Sequence, residues 1–316
     1  MANVAIIGAG LIGRAWALVY ARGGHRVRLW DSQPGQVEQA LAFAREVAPG
    51  LAQAGLLRGR TEDQLLAALE PAERMEDALR DADYVQESTP ERLDSKRRVY
   101  AELDRLAPAG AILASSTSAL LPSHFTADLP GRARCLVAHP INPPYLVPAV
   151  EIVPAPWTDA ACVERARSLL AEAGQQPIVM RREIDGFVVN RLQGALLHEA
   201  FRLVADGYAG VEDVDTCIRD GLALRWAFMG PFETIDLNAP AGVRDYAERY
   251  EGMYAEMFES MTRRVPWSGA TLDRVEAQRR EHLPADGLAQ RQIWRDLRLM
   301  ELAAHKERLR QGRELP

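Results

Sequence analysis

Six residues near the start of the chain, Gly8-Ala9-Gly10-Leu11-Ile12-Gly13, constrain its fold more than any other feature. The strand-like run from Asn3 to Ile7 precedes them and an amphipathic stretch follows, so the glycines stand where a strand turns into a helix. There each has its own task. Gly8 permits a tight turn, Gly10 lets the backbone approach a pyrophosphate, and Gly13 allows close packing of helix on strand. The first helical amides, at Leu11 and Ile12, have no partner inside the helix and face the anion. The second apolar run ends in Asp31, eighteen residues beyond Gly13, close to the ~20 at which a carboxylate meets the adenosine ribose. A carboxylate there repels a 2′-phosphate, and Ser32 and Gln33 follow it without an adjacent arginine, which favours NAD over NADP. Glycines that only make a turn are the alternative, and the strand, helix and acid in register weigh against it.

A chain of 316 residues exceeds one average domain. Through its first half, short apolar runs alternate with amphipathic segments, the rhythm of a parallel sheet covered by helices. Strands are predicted over residues 4–7, 27–30, 84–87, 111–114, 135–138, 150–153 and 177–180. Thr61 with Gln64 makes a capping box, Thr158 and Asp159 start a further helix, and Ser123 caps a short one. Beyond about Asp185 the strand signals stop, and helices are predicted over 187–205, 211–220, 242–258, 272–280 and 288–309. The expected architecture is α/β plus all-α: a Rossmann-type, doubly wound, NAD-binding domain over residues 1–185 and a helical domain over 186–316. The boundary is a change of pattern without a low-complexity linker.

Composition excludes several classes. A net charge of −6 does not suit a surface that must neutralise a track of phosphodiesters, so no nucleic-acid partner is expected. No apolar run approaches the ~20 residues of a membrane span. Cys135, Cys162 and Cys217 are odd in number and far apart, giving neither a disulfide framework nor a thiolate metal site. A cytoplasmic location is expected, because no basic leader precedes an apolar stretch. His198-Glu199 lacks the second histidine of a metalloprotease motif and Gly-x-Ser-x-Gly is absent, so hydrolases lose support. Only Lys96 and Lys306 are lysines among the many basic residues.

Polar residues gather just beyond strand ends, where ligands of open α/β sheets sit. Three segments carry them: Ala114 to Ser118, His139 to Pro144, and Ala149 to Val153. An imidazole is suited to taking and releasing a proton near neutrality. His139 ends an apolar strand, and a carboxylate such as Glu151 bonded to one ring nitrogen would fix the tautomer and leave the other as base. Singly, His139 reads as a structural histidine and Glu151 as a surface charge; their strand-end context reverses that.

These segments, with Asp185 to Arg191 and Gly230 to Glu233, resemble the 3-hydroxyacyl-CoA dehydrogenase family over essentially the whole chain. The resemblance is greatest to its L-gulonate 3-dehydrogenase and lambda-crystallin branch, carried by Ser115-Ser116-Thr117-Ser118, by Ala138-His139-Pro140 with Asn142-Pro143-Pro144-Tyr145, and by Gly221 to Phe228. It implies a catalytic base at His139, an orienting acid at Glu151, and polar groups at Ser118 and Asn190 that bond the substrate oxygen and help place the nicotinamide, with Asn142 in support. Glu91 and Lys96 match the segment that touches the cofactor in the family, a surface lysine being the alternative at Lys96. It further implies a homodimer formed through the helical domain.

The implied reaction is oxidation of the 3-hydroxyl of a 3-hydroxy acid to the 3-keto acid with NAD. Free sugar acids such as L-gulonate and acyl-CoA thioesters share that unit and differ at C1. Arg225 favours a free carboxylate, which a guanidinium can grip through two hydrogen bonds, although a surface arginine remains its plain alternative. Two other readings stay open: a 3-hydroxyacyl-CoA dehydrogenase of fatty-acid metabolism, and an NAD-binding, crystallin-like structural protein.

Overall fold

The computed structural model describes residues 1–312. Among them the strands β1 (Asn3–Ile7), β2 (Arg26–Trp30), β3 (Leu69–Pro71), β4 (Tyr84–Glu87), β5 (Ile112–Ser115), β6 (Cys135–Pro140), β7 (Ala149–Pro154) and β8 (Gln176–Val179) form one sheet in the order β3-β2-β1-β4-β5-β6-β7-β8. The first six in chain order run parallel where they pair. β7 then pairs antiparallel to β6, and β8 parallel to β7. The short β3 lacked a sequence signal because Leu69-Glu70-Pro71 carries one buried apolar residue and a proline.

Helices connect and cover these strands: α1 (Leu11–Arg22), α2 (Gln36–Gln53), α3 (Glu62–Ala67), α4 (Met75–Leu79), α5 (Leu93–Leu106), α6 (Pro122–Thr126) and α7 (Ala160–Glu172). There follow α8 (Val189–Ala205), α9 (Val211–Thr216), α10 (Ala223–Trp226), α11 (Pro231–Leu237), α12 (Val243–Ser260), α13 (Gly269–His282) and α14 (Leu288–Gln311). The helix predicted over 211–220 is interrupted, since a π-helical turn at Cys217–Leu222 lies between α9 and α10. No helix among the described residues is long and apolar enough to cross a membrane, and none of their acidic, histidine or cysteine side chains group to hold a metal ion.

Strand β1 is apolar from Val4 to Ile7 because both its faces are covered there. Val4 and Ile6 enter one core cluster with Trp16, Leu18 and Leu29, while Ala5 and Ile7 enter the other with Leu79, Tyr100 and Phe187. Each fully buried leucine or isoleucine contributes about 1.5–3 kcal/mol. A polar thread pins α1 to the end of β5: the Tyr20 hydroxyl donates to Gln86 Oε1 at 2.9 Å, and Gln86 Nε2 and Trp16 Nε1 both donate to Ser116 Oγ, at 2.8 and 3.2 Å. The Thr61–Gln64 capping box forms with both reciprocal bonds, and Asp159 caps α7. Ser123 does not cap α6. It lies inside the helix behind Pro122, and its amide donates to Glu183 instead.

The chain forms two compact units, one from Met1 to Asn190 together with the residues from Ile293 onward, the other from Arg191 to Gln292. In the first, Met300 of α14 is buried in the same cluster as Trp16 and Leu51. In the second, Phe201 stacks on Trp267 with ring centroids 4.8 Å apart, and Arg274 Nη1 donates to the Val204 carbonyl.

The close approach of α1 to the glycine turn sets a steric limit, because a Cβ on Gly13 would lie 1.8 Å from the Gly8 carbonyl oxygen. Gly13→Ala is expected to cost about 1–3 kcal/mol, the usual penalty for overpacking a tight site, with weakened NAD binding; urea unfolding and an NAD titration check both.

Candidate active site

The site begins with the glycine turn. Gly8 adopts φ +96°, and a Cβ there would meet the Ser88 carbonyl oxygen at 2.7 Å, so both conformation and space require glycine. A Cβ on Gly10 would meet nothing within 4 Å, which leaves open space over the start of α1. No side chain caps that helix, and Leu11, its first residue, is exposed. Uncapped amides beside open space fit a pyrophosphate. Asp31 Oδ2 accepts from the Ala9 amide at 2.7 Å and Oδ1 from the Gln33 amide at 2.8 Å, so this carboxylate ties the end of β2 to the glycine turn.

Strand register makes the second part. On the antiparallel pair β6 and β7, His139 stands directly opposite Glu151, so both side chains project from one face. His139 Nδ1 lies 2.8 Å from Glu151 Oε2, and the two residues are 4% and 0% exposed. The other carboxylate oxygen, Oε1, accepts the amides of Val188 and Val189 at 2.7 and 3.0 Å. Glu151 thus caps α8 from another element, satisfying amides that the helix leaves unpaired. Burial pushes its carboxyl up, but the bond from His139, the two amides and the imidazole charge together hold it below the ordinary 4.5. An ionised Glu151 accepts from Nδ1–H and leaves Nε2 as the nitrogen able to take a proton. The Phe187 ring packs against the imidazole at 5.4 Å.

The third part gathers around Ser118. Asn190, the second residue of α8, donates through Nδ2 to the Ser118 carbonyl at 2.8 Å. Glu91 Oε1 accepts from the amides of Ser118 and Ala119 and from the Thr117 hydroxyl. Asn142 is exposed and precedes the cis peptide to Pro143. Lys96 departs from the plain alternative of a surface lysine. It is 1% exposed, and its ammonium donates to both Glu87 oxygens, at 2.7 and 2.9 Å, and to the Thr89 carbonyl at 3.1 Å. It is therefore no surface lysine, and its three donors are turned inward. Arg225 is exposed on α10, in the second unit.

Sequence reasoning missed Glu87. Wholly buried, it also accepts from the Ser115 hydroxyl at 2.7 Å and from the Thr89 amide and hydroxyl, which braces the strand ends beneath Glu91 and Ser118. Two charges buried together demand such full hydrogen bonding. The available signal was a carboxylate closing an apolar strand nine residues before one of two lysines.

A sheet of this order, with a strand–glycine turn–helix unit answered by an acid at the end of the second strand, defines an NAD-dependent oxidoreductase. Residues 3–184 match the family model for the NAD-binding domain of 3-hydroxyacyl-CoA dehydrogenase, and residues 186–276 match that for its C-terminal domain. The chain belongs to the 3-hydroxyacyl-CoA dehydrogenase family. It is 44% identical over 313 residues to a lambda-crystallin homolog of Bos taurus, covering 98% of this chain and 97% of that one. It is 41% identical over 240 residues to L-carnitine dehydrogenase of Streptomyces griseus, covering 76% and 70%. Among solved structures it resembles a 5-formyl-3-hydroxy-2-methylpyridine 4-carboxylic acid 5-dehydrogenase, described as an NAD+-dependent dismutase, with a TM-score of 0.83 and 27% identity over 99% of this chain and all of that one.

The Glu151 shift gives a pH test with a definite sign. A carboxylate held below its unfolded value contributes stability that is complete above about pH 4.5 and is lost as pH falls through the folded value. The stability difference between the native chain and Glu151→Gln is expected to shrink as pH falls from about 5 towards 3. Urea unfolding across that range measures it, and a difference independent of pH would mean that Glu151 is not ionised in the fold.

Proposed function

We propose that this protein oxidises the 3-hydroxyl of a free 3-hydroxy acid, L-gulonate or a related acid, to the 3-keto acid. The observation that carries the reading is the buried His139–Glu151 pair at 2.8 Å. With Nδ1–H held by Glu151, His139 Nε2 takes the hydroxyl proton, and the carboxylate stabilises the imidazolium that forms. Ser118 and Asn190, bonded to each other, orient the substrate oxygen, with Asn142 and Glu91 beside the cofactor position. Lys96 holds Glu87, which accepts from Ser115; the Ser115 hydroxyl accepts the Thr117 amide, and the Thr117 hydroxyl donates to Glu91. NAD, when bound, accepts the hydride released from C3.

A free acid is favoured over a thioester on two grounds. Arg225 offers a permanent cation that a carboxylate repays and a thioester carbonyl scarcely does. The similar L-carnitine dehydrogenase is named for a substrate that is itself a 3-hydroxy acid with a free carboxylate. The homodimer is also part of this reading, supported by Phe232, Leu237 and Leu224 of the second unit, each large, apolar and more than half exposed.

Turnover with NAD of L-gulonate, 3-hydroxybutyrate, L-carnitine and 3-hydroxybutyryl-CoA tests the substrate class. A free acid is expected to lead; preference for the CoA ester would replace this reading with the acyl-CoA one. His139→Gln should lower kcat by about 10²–10⁴-fold, the usual worth of a general base, and unchanged turnover would remove the base assignment. Arg225→Met should raise KM for acids selectively. Sedimentation equilibrium is expected to give twice the mass of the chain, and a single-chain mass at micromolar concentration would exclude the dimer.

A further inference from the structure

Within the first unit, a cavity of about 320 Å³ opens between the end of α1, the loop before β7 and the last turns of α14. Asp31, Ser118, His139 and Glu151 do not line it. Four cations do, Arg22, Arg58, Lys306 and Arg310, against one acid among the described lining residues, Glu307. In a chain of net charge −6 this is a local reversal of sign.

Arg22 is the central observation. It is 7% exposed, and its Nη1 donates to the Tyr145 carbonyl at 2.6 Å, while its Nε has no acceptor among the described residues. Burial, and then the neighbouring Arg58 charge, lower its pKa to about 10, with Glu307 opposing. A buried cation with an open donor and a like-charged neighbour is unfavourable unless an anion completes the site.

The surroundings are shaped to the same end. Arg58 sits at φ 53°, a left-handed conformation uncommon for residues other than glycine. Gly174, itself at φ +90°, leaves room for that side chain, since a Cβ there would lie 2.8 Å from Arg58 Nη1. Lys306 is half-buried, and its pKa is lowered first by burial and then by Arg310. Glu307 lies 3.6 Å from Arg310, so the one acid is already shared.

We propose that this cavity binds a compact multivalent oxyanion, a phosphate ester or a polycarboxylate, on Arg22, Arg58 and Lys306, at a site separate from the one that oxidises substrate. Guanidinium groups match such oxyanions through paired hydrogen bonds. The volume is at the lower end of small-molecule sites, ~300–1,000 Å³, and suits a group of this size better than a dinucleotide. None of the cavity's lining residues is among those assigned to substrate oxidation.

Isothermal titration of the full chain saturated with NAD, using inorganic pyrophosphate and separately citrate at fixed ionic strength, tests it. Saturable one-to-one binding of either is expected; the pyrophosphate arm identifies a phosphate site and the citrate arm a carboxylate site. Arg58→Gln and Lys306→Gln should each weaken that binding at least about tenfold, or ~1.4 kcal/mol, with kcat unchanged. Arg22→Met should abolish it, and the two less buried variants carry the test should that one fail to fold. Binding of neither anion, or equal binding by the variants, overturns the proposal.

Discussion

The Glu151 carboxylate is the interaction on which the rest of the site depends, because its two oxygens do different work. One fixes the His139 ring and its tautomer; the other accepts the first amides of α8. The orientation of the imidazole and the start of the helix that leaves the sheet are thereby held by one ionised group. Its charge is favourable at both ends, facing an imidazole that can become cationic and the positive end of a helix dipole.

The segment Phe187 to Asn190 carries this outward. Phe187 packs on the imidazole, Val188 and Val189 meet Glu151, and Asn190 reaches the Ser118 carbonyl. Four consecutive residues therefore connect strands β6 and β7 to the loop after β5. Beneath that loop, Glu87 and Lys96 form a buried, fully bonded ion pair that stiffens the strand ends. Within the first unit, the groups proposed for proton transfer and substrate orientation rest on backbone and buried charge rather than on exposed side chains alone.

Much of this was legible in the sequence where periodicity and turn chemistry speak directly. The glycine turn, Asp31, seven of the strands and the helical second half all follow from local pattern. What escaped depends on contacts distant along the chain. The antiparallel return of β7 is invisible to hydrophobic spacing, since a buried strand reads the same in either direction. Lys96 drew attention as one of two lysines, but its burial depends on Glu87 standing at the neighbouring strand end. The helix predicted over 288–309 carries no sign in its own sequence of what it meets; Met300 of α14 enters the core of the first unit, while Trp294, Leu297 and Leu302 stay exposed. Arg22 gave no signal, because a lone arginine at a helix end resembles any other in an arginine-rich chain.

The reversal between β6 and β7 also limits how the loop joining them can vary over evolutionary time. Side chains alternate sides at every position along a strand, so a slide of β7 by a single residue would carry Glu151 across to the opposite surface and leave the imidazole without its anchor. Insertions or deletions between residues 141 and 148 must therefore be taken up as a bulge or a changed turn, with the ladder itself left unmoved.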